Sequence, residues 1–218
     1  MNTTKIYKNI IFDLDGTLID SALAITQCLE KSLFNHNIQP SVAITSSLIG
    51  PPLQDLIDKV TKNIDSEVNS KICKEFKLLY DNHYYQMNKI FISTDNLKKL
   101  NNKYDLFLAT NKRYVPTKNI VNFLKWNILI KKTYTLDNSL ESIKCKSDLI
   151  SYLIREEGIN RSETLYVGDR KDDMESSINN SIDFAYATWG YERFHPDDKT
   201  IILNSPDDIL NIDKLVKS

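Results

Sequence analysis

Nine residues near the start of the chain, I-I-F-D-L-D-G-T-L at 10–18, constrain the fold more than any other stretch. Ile10, Ile11 and Phe12 form an apolar run suited to a buried strand, and the chain then presents Asp13 and Asp15 one residue apart. A carboxylate at the rim of a core has to be solvated, paired or bound to metal, because burying it bare is costly. The strand that begins here is therefore expected to run out into a polar crevice.

Further apolar runs end the same way, in small or polar residues: 106–109, 165–167 and 184–187, with 134–136 and 201–203 as shorter strands. Runs apolar on both faces and separated by helical patterns predict a parallel sheet covered by helices. Leu149 with Leu153 and Ile150 with Ile154 place a helix after Ser147, expected as its N-cap, with Gly158 as its stop. Pro116 sits in the first turn of another helix carrying Ile120, Val121, Phe123 and Leu124.

The α/β alternation starts in earnest only after about residue 104. The residues between the first strand and that point read as helix throughout. Asp20 can cap a face of Ala22, Ile25, Leu29 and Leu33, and Val68, Ile72, Phe76, Leu79 and His83 mark a second. The expected fold is α/β, a doubly wound Rossmann-like core with a parallel sheet plus an inserted all-helical cap domain. The expected boundaries are 1–17 and 90–218 for the core and 18–89 for the cap.

A formal net charge of −1 in 218 residues argues against a nucleic-acid partner or an anionic membrane surface. The segment MNTTKIYKN leads into an apolar run too short for a signal peptide or a membrane span. The three cysteines, Cys28, Cys73 and Cys145, have no close spacing and read as small apolar residues. With three scattered histidines offering no zinc spacing, the expectation is a cytoplasmic protein, monomer or homodimer, with no nucleic-acid or membrane partner.

In an open parallel sheet the ligand crevice lies at the carboxyl ends of the strands. There the runs deliver Asp13, Asp15 and Thr17; then Thr110 and Asn111; then Asp169, Asp172 and Asp173; Lys144 and Lys146 precede the helix at Ser147. Gly16, Gly168 and Gly190 follow strands at the same end, where glycine allows close backbone approach to a ligand. Two carboxylates about 4 Å apart repel by roughly 4 kcal/mol at an effective dielectric near 20. A hard divalent cation with an all-oxygen shell removes that conflict, which is the preference of magnesium. Lysine and hydroxyl groups then suit a phosphate, and the set looks built for phosphoryl transfer. Arg113 and Arg170 read as solvated, Asp172 as an acid in a first helical turn, and Trp189 and Tyr191 equally as pocket lining or core.

D-L-D-G-T at 13–17, L-A-T-N-K at 108–112, a lysine before the helix at 147, and V-G-D-R-K-D-D at 167–173 resemble the haloacid dehalogenase superfamily, in the family's order. G-T-L-I-D-S, the inserted helical block and W-G-Y at 189–191 resemble its phosphoglycolate phosphatase-like branch, which carries a helical cap. The resemblance implies Asp13 as the nucleophile forming an aspartyl-phosphate, Asp15 as the acid and base, and Thr110 and Asn111 as phosphate-binding. It implies Mg²⁺ held by Asp13, the main-chain carbonyl of Asp15 and Asp169, with Asp173 as ligand or outer support. Lys146 is the expected phosphate lysine and Lys144 the alternative, since I-K-C-K-S-D-L lacks the prolines common around that lysine. The loop L-I-G-P-P-L-Q at 48–54 resembles the branch's substrate-specificity loop.

The function these features imply is a Mg²⁺-dependent phosphomonoesterase acting on a small phosphorylated metabolite, phosphoglycolate-like or a nucleotide. The alternatives are a phosphosugar mutase of the β-phosphoglucomutase kind and a non-catalytic phosphate-ligand binding protein. A dehalogenase is disfavoured, because Asp15 has no role in displacing halide from carbon.

Overall fold

The computed structural model describes residues 6–50, 53–62, 64–139 and 143–215. Strand β1 (Asn9–Phe12) is buried along its whole length, and β2 (Ile19–Asp20) follows a tight turn. Then come helices α1 (Ala22–Asn35), α2 (Leu53–Thr61) and α3 (Ser66–Asn82) and strand β3 (Lys89–Ile90), which pairs with β2. The remainder alternates: α4 (Thr94–Asn101), β4 (Asp105–Thr110), α5 (Tyr114–Phe123), β5 (Lys132–Thr135), α6 (Lys146–Glu157), β6 (Thr164–Gly168), α7 (Lys171–Asn179), β7 (Asp183–Ala187), β8 (Ile201–Leu203) and α8 (Ile212–Leu215). Asp20–Lys89 forms one compact unit, and the described residues on either side of it form the other. No helix of the described residues is long and apolar enough to cross a membrane.

The larger unit is built on a six-stranded sheet in the order β5-β4-β1-β6-β7-β8, every neighbouring pair parallel. Ile10, Ile11 and Phe12 of β1, Leu106–Ala109 of β4 and Leu165–Val167 of β6 are fully enclosed, as expected for strands covered on both faces. On one face, Leu149, Ile150, Leu153 and Ile154 of α6 and Met174 of α7 pack with Ile11, Phe107, Tyr166 and Phe184. Gly158 ends α6 at φ 61, the left-handed conformation that a helix stop requires.

Topology places the site. The chain steps from β1 to β4 and β5 on one side, then crosses to β6, β7 and β8 on the other. The order therefore reverses at β1, and a crevice opens there beyond the strand ends. Phe12 is in register with Leu108 of β4 and Val167 of β6, so Asp13, Thr110 and Asp169 emerge from one edge of the sheet.

The smaller unit packs α1 and α2 against α3 around Leu29, Leu33, Ile57, Val60, Ile72 and Phe76, with Phe76 stacked on Tyr80 at 5.5 Å. Asp20 accepts from the Ala22 backbone N–H at 3.1 Å and caps α1 from just outside it. Asp65 caps α3, accepting from Glu67 and Val68.

Several expectations are corrected. The inserted segment is not helix throughout: residues 36–45 form none, and Asn37 takes the left-handed conformation at φ 57, which breaks the helical path. α2 already begins at Leu53, so the end of the expected 48–54 loop is helical; Pro51 and Pro52 lie outside the described residues. His83 is exposed past the end of α3, whose apolar face closes on Tyr80 instead. The strand expected at 134–136 is β5, which starts at Lys132 and hands Leu136 to a 3-10 turn. α6 begins one residue before Ser147, with exposed Cys145 in the N-cap position. Cys145 is therefore not a buried apolar residue, as Cys28 and Cys73 are.

Candidate active site

Asp13 follows β1 directly, and its backbone N–H donates to Val167 O of β6 at 2.9 Å, continuing the sheet pairing. That pairing keeps the Asp13 side chain at the strand end with only 3% of the residue exposed. Its Oδ1 lies 3.2 Å from Lys146 Nζ, an ion-pair distance, yet no donor is aligned on it for a hydrogen bond. Asp169 emerges from β6 fully buried, and Asp173 comes from the first turn of α7, also fully buried. One carboxylate oxygen from each of Asp13, Asp169 and Asp173 lies within 4.8 Å of the other two.

The surroundings hold this cluster at short range. Asp173 Oδ2 accepts from the backbone N–H groups of Asp169 (3.1 Å) and Arg170 (3.0 Å). Its Oδ1 accepts from Lys146 Nζ at 2.5 Å and faces the Tyr166 hydroxyl at 3.3 Å. Asp173 is thus occupied on both oxygens, whereas Asp13 is not. Asp169 Oδ2 accepts from the Tyr191 N–H at 2.7 Å, and its Oδ1 from the Thr17 hydroxyl at 3.3 Å. A Cβ on Gly16 or on Gly190 would collide with the Asp169 side chain, and one on Gly168 with Asp173. Gly16 also takes φ 87, so glycine is required there twice over.

Electrostatics follow from the burial. Desolvation, reinforced by Asp173 and Asp15, pushes the Asp13 carboxyl up to about 7, against the pull of Lys146. Asp169 is driven well above the carboxylate range, first by burial and then by Asp173 and Asp13. Asp173 is raised by burial, with Lys146 opposing. Burial pulls the Lys146 ammonium down, but Asp13 and Asp173 outweigh it and hold the group well above an ordinary lysine. Among these groups one ammonium faces three carboxylates, so the centre lacks positive charge.

The two lysine candidates are placed differently. Lys146, first residue of α6, is buried against Asp13 and Asp173, while Lys144 is exposed and its backbone N–H donates to Asp148. Thr110 is buried at the end of β4, and its Oγ1 accepts from the Lys112 N–H at 3.2 Å, leaving the hydroxyl proton to donate. Asn111, next along, is exposed. Asp15 is partly buried, with Lys112 Nζ 3.0 and 3.2 Å from its two oxygens. Trp189 donates its indole N–H to Thr17 O at 3.1 Å, so the W-G-Y segment fastens both Thr17 and Asp169. Arg170 is not simply solvated: it pairs with Asp172 at 3.3 Å and Glu192 at 3.5 Å.

Sequence reasoning passed over Lys112 and Tyr166. Lys112 stood inside the quoted L-A-T-N-K, which was its only signal. Tyr166 sits mid-strand as one more aromatic, yet its hydroxyl contacts Ala109 O at 3.0 Å as well as Asp173.

A model of the family described as haloacid dehalogenase-like hydrolase matches residues 10–187. A 5'-nucleotidase from Pseudomonas aeruginosa is 27% identical over 180 residues, covering 81% of this chain and 80% of its own. A phosphoglycolate phosphatase from Aquifex aeolicus is 26% identical over 210 residues, covering 93% of this chain and 95% of its own. Among solved structures, a haloacid dehalogenase-like hydrolase from Streptococcus pneumoniae superposes with a TM-score of 0.81 at 22% identity, over 96% of this chain and 99% of that one.

Proposed function

Because the chain belongs to the haloacid dehalogenase-like hydrolase family, we propose that it is a Mg²⁺-dependent phosphatase cleaving small phosphomonoesters through an aspartyl-phosphate. The observation that carries this reading is the buried triad Asp13, Asp169 and Asp173 with one ammonium among three acids, and with Asp13 Oδ1 facing that ammonium but accepting no hydrogen bond. The all-oxygen donor set and its excess of carboxylates over ammonium fit a hard divalent cation. Asp13, Asp169 and the main-chain carbonyl of Asp15 would hold Mg²⁺, and Asp173, tied to Lys146 and to the backbone N–H groups of Asp169 and Arg170, would serve as ligand or outer support. When bound, the cation neutralises the carboxylates and the phosphoryl oxygens they approach.

In this reading Asp13 attacks phosphorus and the bond to the leaving oxygen breaks. Asp15 gives a proton to that oxygen, then takes one from the water that opens the aspartyl-phosphate. Thr110 donates its free hydroxyl proton to a phosphoryl oxygen, and Lys146 adds a fixed charge beside Asp13. Gly16, with no side chain, gives Asp169 room to sit against the turn that carries Asp15. The nucleotidase and the phosphoglycolate phosphatase among the relatives suggest a nucleoside monophosphate or a small acid phosphate as substrate.

The test is inorganic phosphate release from phosphoglycolate, sugar phosphates and nucleoside monophosphates, with Mg²⁺ and with EDTA. Metal-dependent release that drops at least about a thousandfold in Asp13→Asn is expected. Folded protein that releases none would overturn the reading in favour of a phosphate-ligand binder. An isomerised sugar phosphate without net release would favour the mutase.

A further inference from the structure

We infer that Lys112 is a positioning residue for the acid and base of the reaction, an inference that rests on the phosphatase reading above. Its ammonium reaches both oxygens of Asp15, at 3.0 and 3.2 Å, and so fixes the plane of that carboxylate as well as its place. The side chains are mostly shielded from water, 8% exposed for Lys112 and 16% for Asp15. An ion pair so enclosed is screened less than a surface pair and holds its geometry better.

The same residue organises a second group. The Lys112 backbone N–H donates to Thr110 Oγ1 at 3.2 Å and thereby turns the threonine's proton outward as a donor. One residue beyond β4 therefore sets two side chains with separate tasks: Thr110 through its backbone and Asp15 through its ammonium. The register of β1 with β4 makes this reach possible, since Phe12 lies beside Leu108 and both parallel strands run out at the same edge of the sheet. Lys146 cannot substitute, because it is committed to Asp13 and Asp173.

A positioned Asp15 matters in proportion to how much the leaving oxygen needs its proton. An alkyl phosphate expels a strongly basic alkoxide and depends on it; p-nitrophenyl phosphate expels a stable phenolate and does not. The experiment measures kcat/KM for wild type, Lys112→Met and Lys112→Arg on both p-nitrophenyl phosphate and the best alkyl phosphate of the panel. Lys112→Met should lose about 10- to 100-fold on the alkyl phosphate and less than about threefold on the aryl one. Lys112→Arg, which keeps the charge, should recover part of the alkyl loss.

Equal losses on both substrates would reduce Lys112 to a structural residue and overturn the inference, as would no loss on either. A melting temperature and a Mg²⁺-induced shift matching wild type should accompany the selective loss. If wild type itself releases no phosphate, the phosphatase reading has failed instead, and the two failures are told apart.

Discussion

In the helical unit the buried polar side chains, among the described residues, are Ser21, Ser32 and Asn69, all neutral. Ser32 donates back to Cys28 O at 2.8 Å and Asn69 to Gln54 O and Asp58, so ordinary packing satisfies them. The α/β unit buries Asp13, Asp169, Asp173 and Lys146 at one strand edge, with one Asp13 oxygen unbonded. A fold does not need that concentration of charge, because an apolar replacement of a buried ion pair is often as stable. The contrast separates polar groups that serve the fold from those the proposed chemistry would use.

The sharpest way to break the comparison is to remove one lysine from each unit. Lys146→Met strands Asp13 and Asp173 without compensation and should cost roughly 3–5 kcal/mol in denaturant unfolding. Lys71→Met, which loses only an exposed i,i+4 partner in Glu67, should cost less than about 0.5 kcal/mol. Comparable losses at the two sites would mean that the strand-edge cluster is not electrostatically distinct.

Two glycines sharpen it further. Gly190→Ala would force Asp169 to shift and should weaken Mg²⁺ binding about 10- to 100-fold by calorimetry. Gly158→Ala meets nothing nearby and suffers only from its left-handed backbone, so it should cost about 1 kcal/mol with metal affinity unchanged. Asp65→Ala removes the cap of α3 and should cost about 1 kcal/mol by thermal or chemical unfolding.

Much of the sheet could be read directly, because strands buried on both faces are continuous apolar runs and each ends in its polar residues. Asp13, Thr110 and Asp169 could be placed at one edge for the same reason: a parallel sheet puts successive strand ends together. Pairings across strands could not. The contact of Lys112 with Asp15 spans 97 residues and that of Tyr166 with Ala109 spans 57, and both depend on the register. Helix starts were misjudged where a side-chain cap was assumed. Ser147 looked like an N-cap, but α6 begins at Lys146 without a side-chain cap, which brings the lysine into the first turn. His83 continued the spacing of an apolar face beyond the point where α3 ends. Periodicity alone does not reveal where a helix stops.

The carboxylate cluster is electrostatically strained, and the proposed Mg²⁺ would relieve that strain. Asp13, raised by burial from 3.8 to about 7, favours the fold when protonated; that contribution is lost as pH rises from about 4 through 7. Asp169 and Asp173 are shifted in the same direction. The deciding measurement is the thermal unfolding of wild type and Asp13→Asn at pH 5.5 and pH 8, each with EDTA and with excess Mg²⁺. In EDTA, wild type should lose stability relative to Asp13→Asn between the two pH values. Mg²⁺ should restore wild type at pH 8, by about 2.7 kcal/mol at a hundred times its dissociation constant, and do little at pH 5.5 or in the variant. A wild type indifferent to Mg²⁺ at pH 8, or a variant that responds equally, would contradict the account.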